Sequence, residues 1–150
     1  MQGARDEANE RKQLTAGQLP DELRASMASA GEEIVFLEEG VDSFVKGLQV
    51  QYEGKLIPLK KNWGRAAIAV TDRHLVVLAA GGFEHLQVSH QQGAAQVRLV
   101  VERPDMLCLV YDASVTRTFG SGRVELRLHT SQAERIAGLL RSLAAGGHGG

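Results

Sequence analysis

The sequence predicts a protein that is mainly β with α, in which an antiparallel sheet, sandwich or barrel lies between a short N-terminal helix and a longer C-terminal helix. From Glu32 to His129 the chain is a succession of short β-prone runs, many of them separated by Gly, Asp, Asn or Pro. Strands that follow one another without helical crossovers pair antiparallel. After His129 the apolar residues change to a helical spacing, which predicts one closing helix.

The segment LPDELRASMASAG predicts the short N-terminal helix. Pro20 suits the start of a helix, and the acidic Asp21 and Glu22 complement the positive end of its dipole. Gly31 can adopt the left-handed conformation that ends a helix. The residues near one face are Leu19, Leu23, Met27 and Ala30.

The length and the end segments predict one domain, residues 17–145. Residues 1–16 are polar and charged and contain few large apolar side chains, so we expect a flexible tail. Residues 146–150 read GGHGG and are expected to form a second, Gly-rich flexible tail.

Several of the β-prone runs alternate between apolar and polar residues. Val97, Leu99 and Val101 share one side of a predicted strand, and Val124 and Leu126 begin the same pattern in the last one. The predicted strand segments are EEIVFLEEGV, FVKGLQVQY, GKLIPL, RAAIAV, HLVVLAA, EHLQVS, AQVRLVVE, MLCLVYD and GRVELRLH.

The closing segment TSQAERIAGLLRSLAAGG predicts an amphipathic helix. Ser131 and Glu134 fit a capping box, and Gly146 can end the helix. We expect the helix to cover one opening of the sheet structure, because its apolar stripe would otherwise face water. The stripe consists of Ala133, Ile136, Ala137, Leu140 and Leu143.

The composition is that of a globular protein and excludes several partners. The chain is 43% hydrophobic and 23% charged, and its net charge of −1 does not attract polyanions. With only 5% aromatic residues it has few side chains for base stacking, so no nucleic-acid partner is expected. The lone Cys108 and the lack of an apolar core in MQGARDEANERKQ favour the cytoplasm.

Three segments resemble the bacterial pleckstrin-homology-like (PH-like) domain family. They are GEEIVFLEEGV, GRAAIAVTDRHLVVLA and SGRVELRLHTSQAERIAGLLRSL, in this order along the chain. The family's Thr-Asp-Arg-Arg-Leu-type hairpin is matched by Thr71, Asp72, Arg73 and Leu75, with His74 in place of the second basic residue. The resemblance implies a bent, partly open antiparallel barrel of about seven strands capped by the C-terminal helix. It also makes homo-oligomers plausible.

Thr71, Asp72 and Arg73 stand between two apolar runs and predict the turn of a hairpin. Asp72 can accept backbone N–H bonds within such a turn, and Thr71 can do so more weakly. These residues are therefore interpreted as structural, with a binding role for Arg73 as the alternative.

No catalytic residue, metal site or cofactor is predicted. His85 and His90 are five residues apart and face opposite sides of a strand, and Cys108 lies in an apolar run that is expected to bury its thiol. Gly120-Ser121-Gly122 is better interpreted as a strand connection than as a nucleophile elbow. The chain is not expected to be an enzyme.

One local cluster predicts a surface for lipid or anion binding. Four basic residues surround the only tryptophan in KLIPLKKNWGR, a segment without acidic residues. A basic patch with an amphipathic ring is typical of contacts with an anionic membrane surface. The alternative is that the tryptophan packs on the barrel and the lysines keep a hairpin soluble. The cluster consists of Lys55, Lys60, Lys61, Trp63 and Arg65.

These observations predict a non-catalytic PH-like interaction module that acts through protein–protein contacts, including self-association. Its partner is an unknown protein or a second copy of the chain. One alternative is peripheral binding to an anionic membrane surface through the basic cluster. Another is a β-barrel that binds a small molecule, which would need an unfilled interior.

Overall fold

A computed structural model of the chain describes residues 17–52, 55–56, 62–80, 84–116 and 120–146. The predicted tail 1–16 lies outside the described residues, and so does the predicted tail 146–150 except for Gly146. Lys60 and Lys61 of the basic cluster also lie outside them.

The described residues form one curled antiparallel sheet. Its strands are β1 (Ile34–Tyr52), β2 (Lys55–Leu56), β3 (Asn62–Thr71), β4 (His74–Ala79), β5 (Glu84–Ser89), β6 (Arg98–Arg103), β7 (Met106–Asp112) and β8 (Gly120–His129). Their order is β5-β4-β3-β1-β8-β7-β6, and β2 pairs with β1. Within the described residues β5 and β6 end the sheet without pairing with each other, so the barrel is partly open. The predicted fold class is confirmed.

One continuous strand, β1, replaces the two strands predicted for EEIVFLEEGV and FVKGLQVQY. Its register with β3 shifts between Glu38 and Val41, where Gly40 has a φ of +71°. A bulge of this kind bends a strand without ending it. Because β1 pairs with β3 on one side and with β8 on the other, it joins the two halves of the sheet.

The sheet has a packed core on its concave side and a smaller apolar cluster on its outer side. Val45, Ile68 and Leu126 are fully buried in the main core. The outer cluster lies beneath α1 (Asp21–Ser29), whose Met27 is buried. Ala30, predicted on the apolar face of this helix, is exposed because the helix ends at Ser29. The buried residues of the outer cluster are Leu19, Met27, Ala67, Ala69 and Val76.

A short helix that the sequence did not predict, α2 (His90–Gln96), interrupts the succession of strands. Ser89 caps it, since its hydroxyl accepts a hydrogen bond from the backbone N–H of Gln92 at 3.1 Å. The helix connects β5 to β6 and therefore lies at the opening of the barrel. HQQGAAQ contains no large apolar side chain, so it shows no helical periodicity in the sequence.

The C-terminal helix, α3 (Ala133–Gly146), packs against α2, β6 and β7. Its predicted stripe faces the core, and Leu143 at the end of the stripe is half-buried. The helix is capped by Thr130, whose hydroxyl accepts from the backbone N–H of Gln132 at 3.0 Å. The same hydroxyl donates to the carboxylate of Glu38. Thr130 therefore takes the place that the sequence predicted for Ser131.

Candidate functional site

The outer side of the sheet presents an uncovered patch that we call the Trp63 face. It consists of Asp42, Phe44, Trp63, Arg65 and Arg127. Side chains two residues apart on a strand face the same side of the sheet. Trp63 and Arg65 therefore share the outer side with Ala67 and Ala69, which α1 covers. Phe44 stands in register with Trp63 on one neighbouring strand and with Arg127 on the other.

Trp63 is the most exposed large apolar side chain among the described residues, with 65% of its surface accessible. Its ring stacks on that of Phe44 at a centroid distance of 4.6 Å and an interplanar angle of 33°. The guanidinium carbon of Arg127 lies 5.5 Å from the centroid of the Phe44 ring. The three side chains form a row across β3, β1 and β8, in which each one supports the next.

Two carboxylates hold Arg127 in this row. Its Nε donates to Glu102 at 2.7 Å and its Nη1 donates to Glu125 at 3.1 Å. The hydrogen bond with Glu102 raises the pKa of Arg127 above its ordinary value. Burial raises the pKa of Glu125, but hydrogen bonding and the charge of Arg127 outweigh burial and leave it below its ordinary value. The charges of this network are thus largely compensated.

Asp42 and Arg65 stand opposite each other in the β1–β3 register and are both exposed. Within the described ranges neither side chain has a hydrogen bond or an ion pair. A hollow of about 320 Å³ lies beside them, lined also by Ser43, Trp63 and His129. The Trp63 face therefore combines an exposed aromatic ring, a concavity and two opposite charges without partners among the residues described.

The chain just before α1 borders the Trp63 face. The carbonyl of Gly17 accepts from the backbone N–H of Gly40 at 2.7 Å, and the φ of Gly17 is +77°. A Cβ atom at Gly17 would lie 2.7 Å from the Cβ of Arg65, so only glycine fits this approach. The close contact places α1 over one half of the outer side and leaves the other half open.

The structure brings together two of the five predicted cluster residues. Trp63 and Arg65 share the Trp63 face, Lys55 begins β2, and Lys60 and Lys61 lie outside the described residues. Phe44 and Arg127 were not predicted as part of the site. The alternation of the last strand marked Arg127 as outward-facing, whereas no sequence pattern singled out Phe44. The proximity of both residues to Trp63 follows only from the pairing of β1 with β3 and β8.

The predicted hairpin residues connect β3 to β4. The hydroxyl of Thr71 accepts from the backbone N–H of Arg73 at 3.1 Å within the turn. The carboxylate of Asp72 instead accepts from the backbone N–H of Glu33 at 3.0 Å, and Arg73 donates to the carbonyl of Ala30, also at 3.0 Å. The turn is thereby tied to the connection between α1 and β1.

Cys108 lies next to Arg127 in the pairing of β7 with β8 and is 2% exposed. Burial raises the pKa of its thiol to about 11, against a smaller opposing influence of the positive charge of Arg127. A thiol with this pKa holds little thiolate at neutral pH and is a poor nucleophile.

We expect iodoacetamide at pH 8 to alkylate Cys108 of the folded protein about two orders of magnitude more slowly than the same thiol in denaturant, because the folded thiol is both protonated and covered. Intact-mass measurement over time gives both rates, since the sequence contains one cysteine. Equal rates in the two conditions would contradict a buried, protonated thiol.

The described residues show neither a metal-binding group nor a membrane-spanning helix. No three His, Cys, Asp or Glu side chains are grouped there as a metal ion would require. The helices described there are all too short or too polar to traverse a bilayer. Comparison of the whole chain with protein-family models, characterised proteins and solved structures gives no match.

Proposed function

We propose that this protein is a non-catalytic interaction module that acts through protein–protein contacts at the Trp63 face. The observation that carries the proposal is the exposed ring of Trp63, which stacks on Phe44 in the row that Arg127 completes. Tryptophan and arginine are enriched among the residues that contribute most to protein interfaces. The PH-like resemblance and the predicted cytoplasmic location belong to the same proposal.

The charges around Trp63 favour a protein partner over an anionic membrane. Asp42 lies beside Arg65, and Arg127 already forms ion pairs with Glu102 and Glu125. A surface with both signs of charge attracts a partner with a complementary mixed pattern, whereas its carboxylates repel anionic lipid head groups. Membrane binding through the basic cluster is accordingly the alternative outcome of the test below.

The barrel interior gives no support to the small-molecule alternative. The main core is filled by large side chains that are fully buried, and they come from both halves of the sheet. Such packing leaves no room for a central ligand. The largest of them are Ile68, Leu86, Leu107, Leu109, Leu126 and Leu128.

We propose a second copy of the chain as the partner. In a two-fold dimer every contact occurs twice with the roles exchanged. Asp42 of one copy can then meet Arg65 of the other, and each Trp63 can enter the hollow beside the opposite Trp63. The adjacent, unpaired opposite charges make the Trp63 face complementary to itself.

Light scattering over a range of protein concentrations tests this self-association, with an expected mass that rises from monomer to dimer. Trp63→Ala is expected to weaken dimerisation about 30-fold or more, as the loss of a central interface residue does. Val35→Ala is the matched control, because Val35 is the other exposed large apolar residue described and lies off the Trp63 face. A monomer at all concentrations would refute self-association.

Charge exchange makes the test specific for the two-fold arrangement. Asp42→Arg and Arg65→Asp, each alone, are expected to dissociate the dimer, because each places like charges opposite each other. Mixing the two variants is expected to restore a dimer. If the mixture stays monomeric, the proposed pairing is wrong. Salt-sensitive binding of the monomeric wild type to anionic liposomes would instead support the membrane alternative.

A further inference from the structure

A second concavity, which we call the α2–α3 groove, lies between the two helices at the open end of the barrel. It has a volume of about 280 Å³, and an adjoining hollow of about 200 Å³ shares Ser89 and His90 with it. None of its lining residues belongs to the Trp63 face. The apolar part of the lining consists of Leu75, Gly93, Ala94, Val97, Leu140 and Ala144.

The groove is held open by fixed elements. A Cβ atom at Gly93 would meet Cγ2 of Val88 at 3.4 Å, so α2 packs closely on β5. His90 is 8% exposed, and its Nε2 donates to the carbonyl of Thr71 at 2.8 Å. A carbonyl only accepts, so Nε2 of His90 carries the proton and the hydrogen bond fixes the orientation of the ring. The ring lines both hollows on their polar side.

Arg141 supplies the charge at the rim of this apolar groove. It is exposed, and among the described residues its side chain has no hydrogen bond or ion pair. A guanidinium without a partner beside an apolar surface is complementary to a molecule that joins an apolar body to a carboxylate. The groove's volume is near the lower end of the range for small-molecule sites, about 300–1,000 Å³, which favours a small ligand.

We propose that the α2–α3 groove binds a small carboxylate with an aliphatic or aromatic body. The apolar body lies against Leu75, Val97 and Leu140, and the carboxylate pairs with Arg141. This site is independent of the proposed interaction at the Trp63 face, and either can fail without the other.

Titration of the full chain with octanoate, 1-octanol and acetate, followed by amide NMR, tests the proposal. Octanoate is expected to shift the signals of Gly93, Ala94 and Ala144 and to bind about five- to tenfold more tightly than octanol, through one charge-assisted contact. Acetate is expected to leave the signals unchanged. Arg141→Gln is expected to make octanoate and octanol equal, whereas Arg135→Gln keeps the difference, because Arg135 lies over the Phe36 ring instead.

A second variant removes the apolar half of the site. Ala144→Phe adds bulk in the last turn of α3 and is expected to abolish binding of both octanoate and octanol while the melting temperature stays close to that of the wild type. Equal affinity of the wild type for octanoate and octanol would overturn the role of the carboxylate. Octanoate binding that survives in the folded Ala144→Phe variant, or that shifts signals elsewhere, would overturn the groove as its site.

Discussion

Ile136→Ala is expected to lower the free energy of unfolding by about 2–5 kcal/mol, the range for deleting large buried aliphatic groups. Ile136 is fully buried at the centre of the α3 stripe, and α3 packs against β6, β7 and α2. The substitution leaves a cavity between the helix and the sheet. The strand β7 cannot move to fill it, because β7 is paired with β6 on one side and with β8 on the other.

Chemical denaturation of wild type and variant measures this loss. Gly138→Ala is the matched control on the same helix, because Gly138 is exposed and a Cβ atom there meets nothing within 4 Å. Alanine is the better helix former, so this control is expected to stabilise the protein by about 0.5–1 kcal/mol. If Ile136→Ala changed stability by as little as the control, α3 would not be closing the core.

Arg127→Met is expected to lower the free energy of unfolding by about 1–3 kcal/mol at neutral pH, since it leaves two carboxylates without their shared cation. Glu125 is the more buried of the two, with 13% of its side chain exposed against 34% for Glu102. Arg123→Met is the control. Arg123 also contacts Glu125, at 3.0 Å, but its side chain is 57% exposed. Its removal is therefore expected to lower the free energy of unfolding by less than about 1 kcal/mol.

The effect of Arg127→Met is expected to shrink in acid. In the folded wild type the pKa of Glu125 lies below its ordinary value of 4.5, so the stabilisation that the ionised carboxylate gives is present above that value. This stabilisation is lost as the pH falls through the lower pKa of the folded state. Denaturation at a series of pH values is therefore expected to give free energies of unfolding for wild type and variant that approach each other below the ordinary carboxyl pKa. If the difference in free energy of unfolding between wild type and variant stayed constant down to pH 3, the lost stability would come from the packing of Arg127 on Phe44 and not from its ion pairs.

The elements with a strong local signal were predictable from the sequence. The stripe of α3 and the entry of α1 at Pro20 both depend on residues within a few turns of each other. The turn at Asp72 and Arg73 is marked by polar residues between two apolar runs. The helix α2 was missed because HQQGAAQ has no apolar periodicity; its capping residue Ser89 was the one local signal.

The sequence by itself determined the succession of β-prone runs between a short N-terminal helix and a longer C-terminal helix, because strand alternation and helical spacing are local signals. It also identified the basic cluster as a stretch of neighbouring residues. Only the tertiary structure decided that Trp63 stacks on Phe44, that Arg127 completes the row, and that Asp42 stands opposite Arg65. These neighbours come from strands distant in sequence, and their register is set by backbone pairing and by the bulge near Gly40. The Trp63 face therefore exists only once β3, β1 and β8 have paired, since no local pattern carries the register between them.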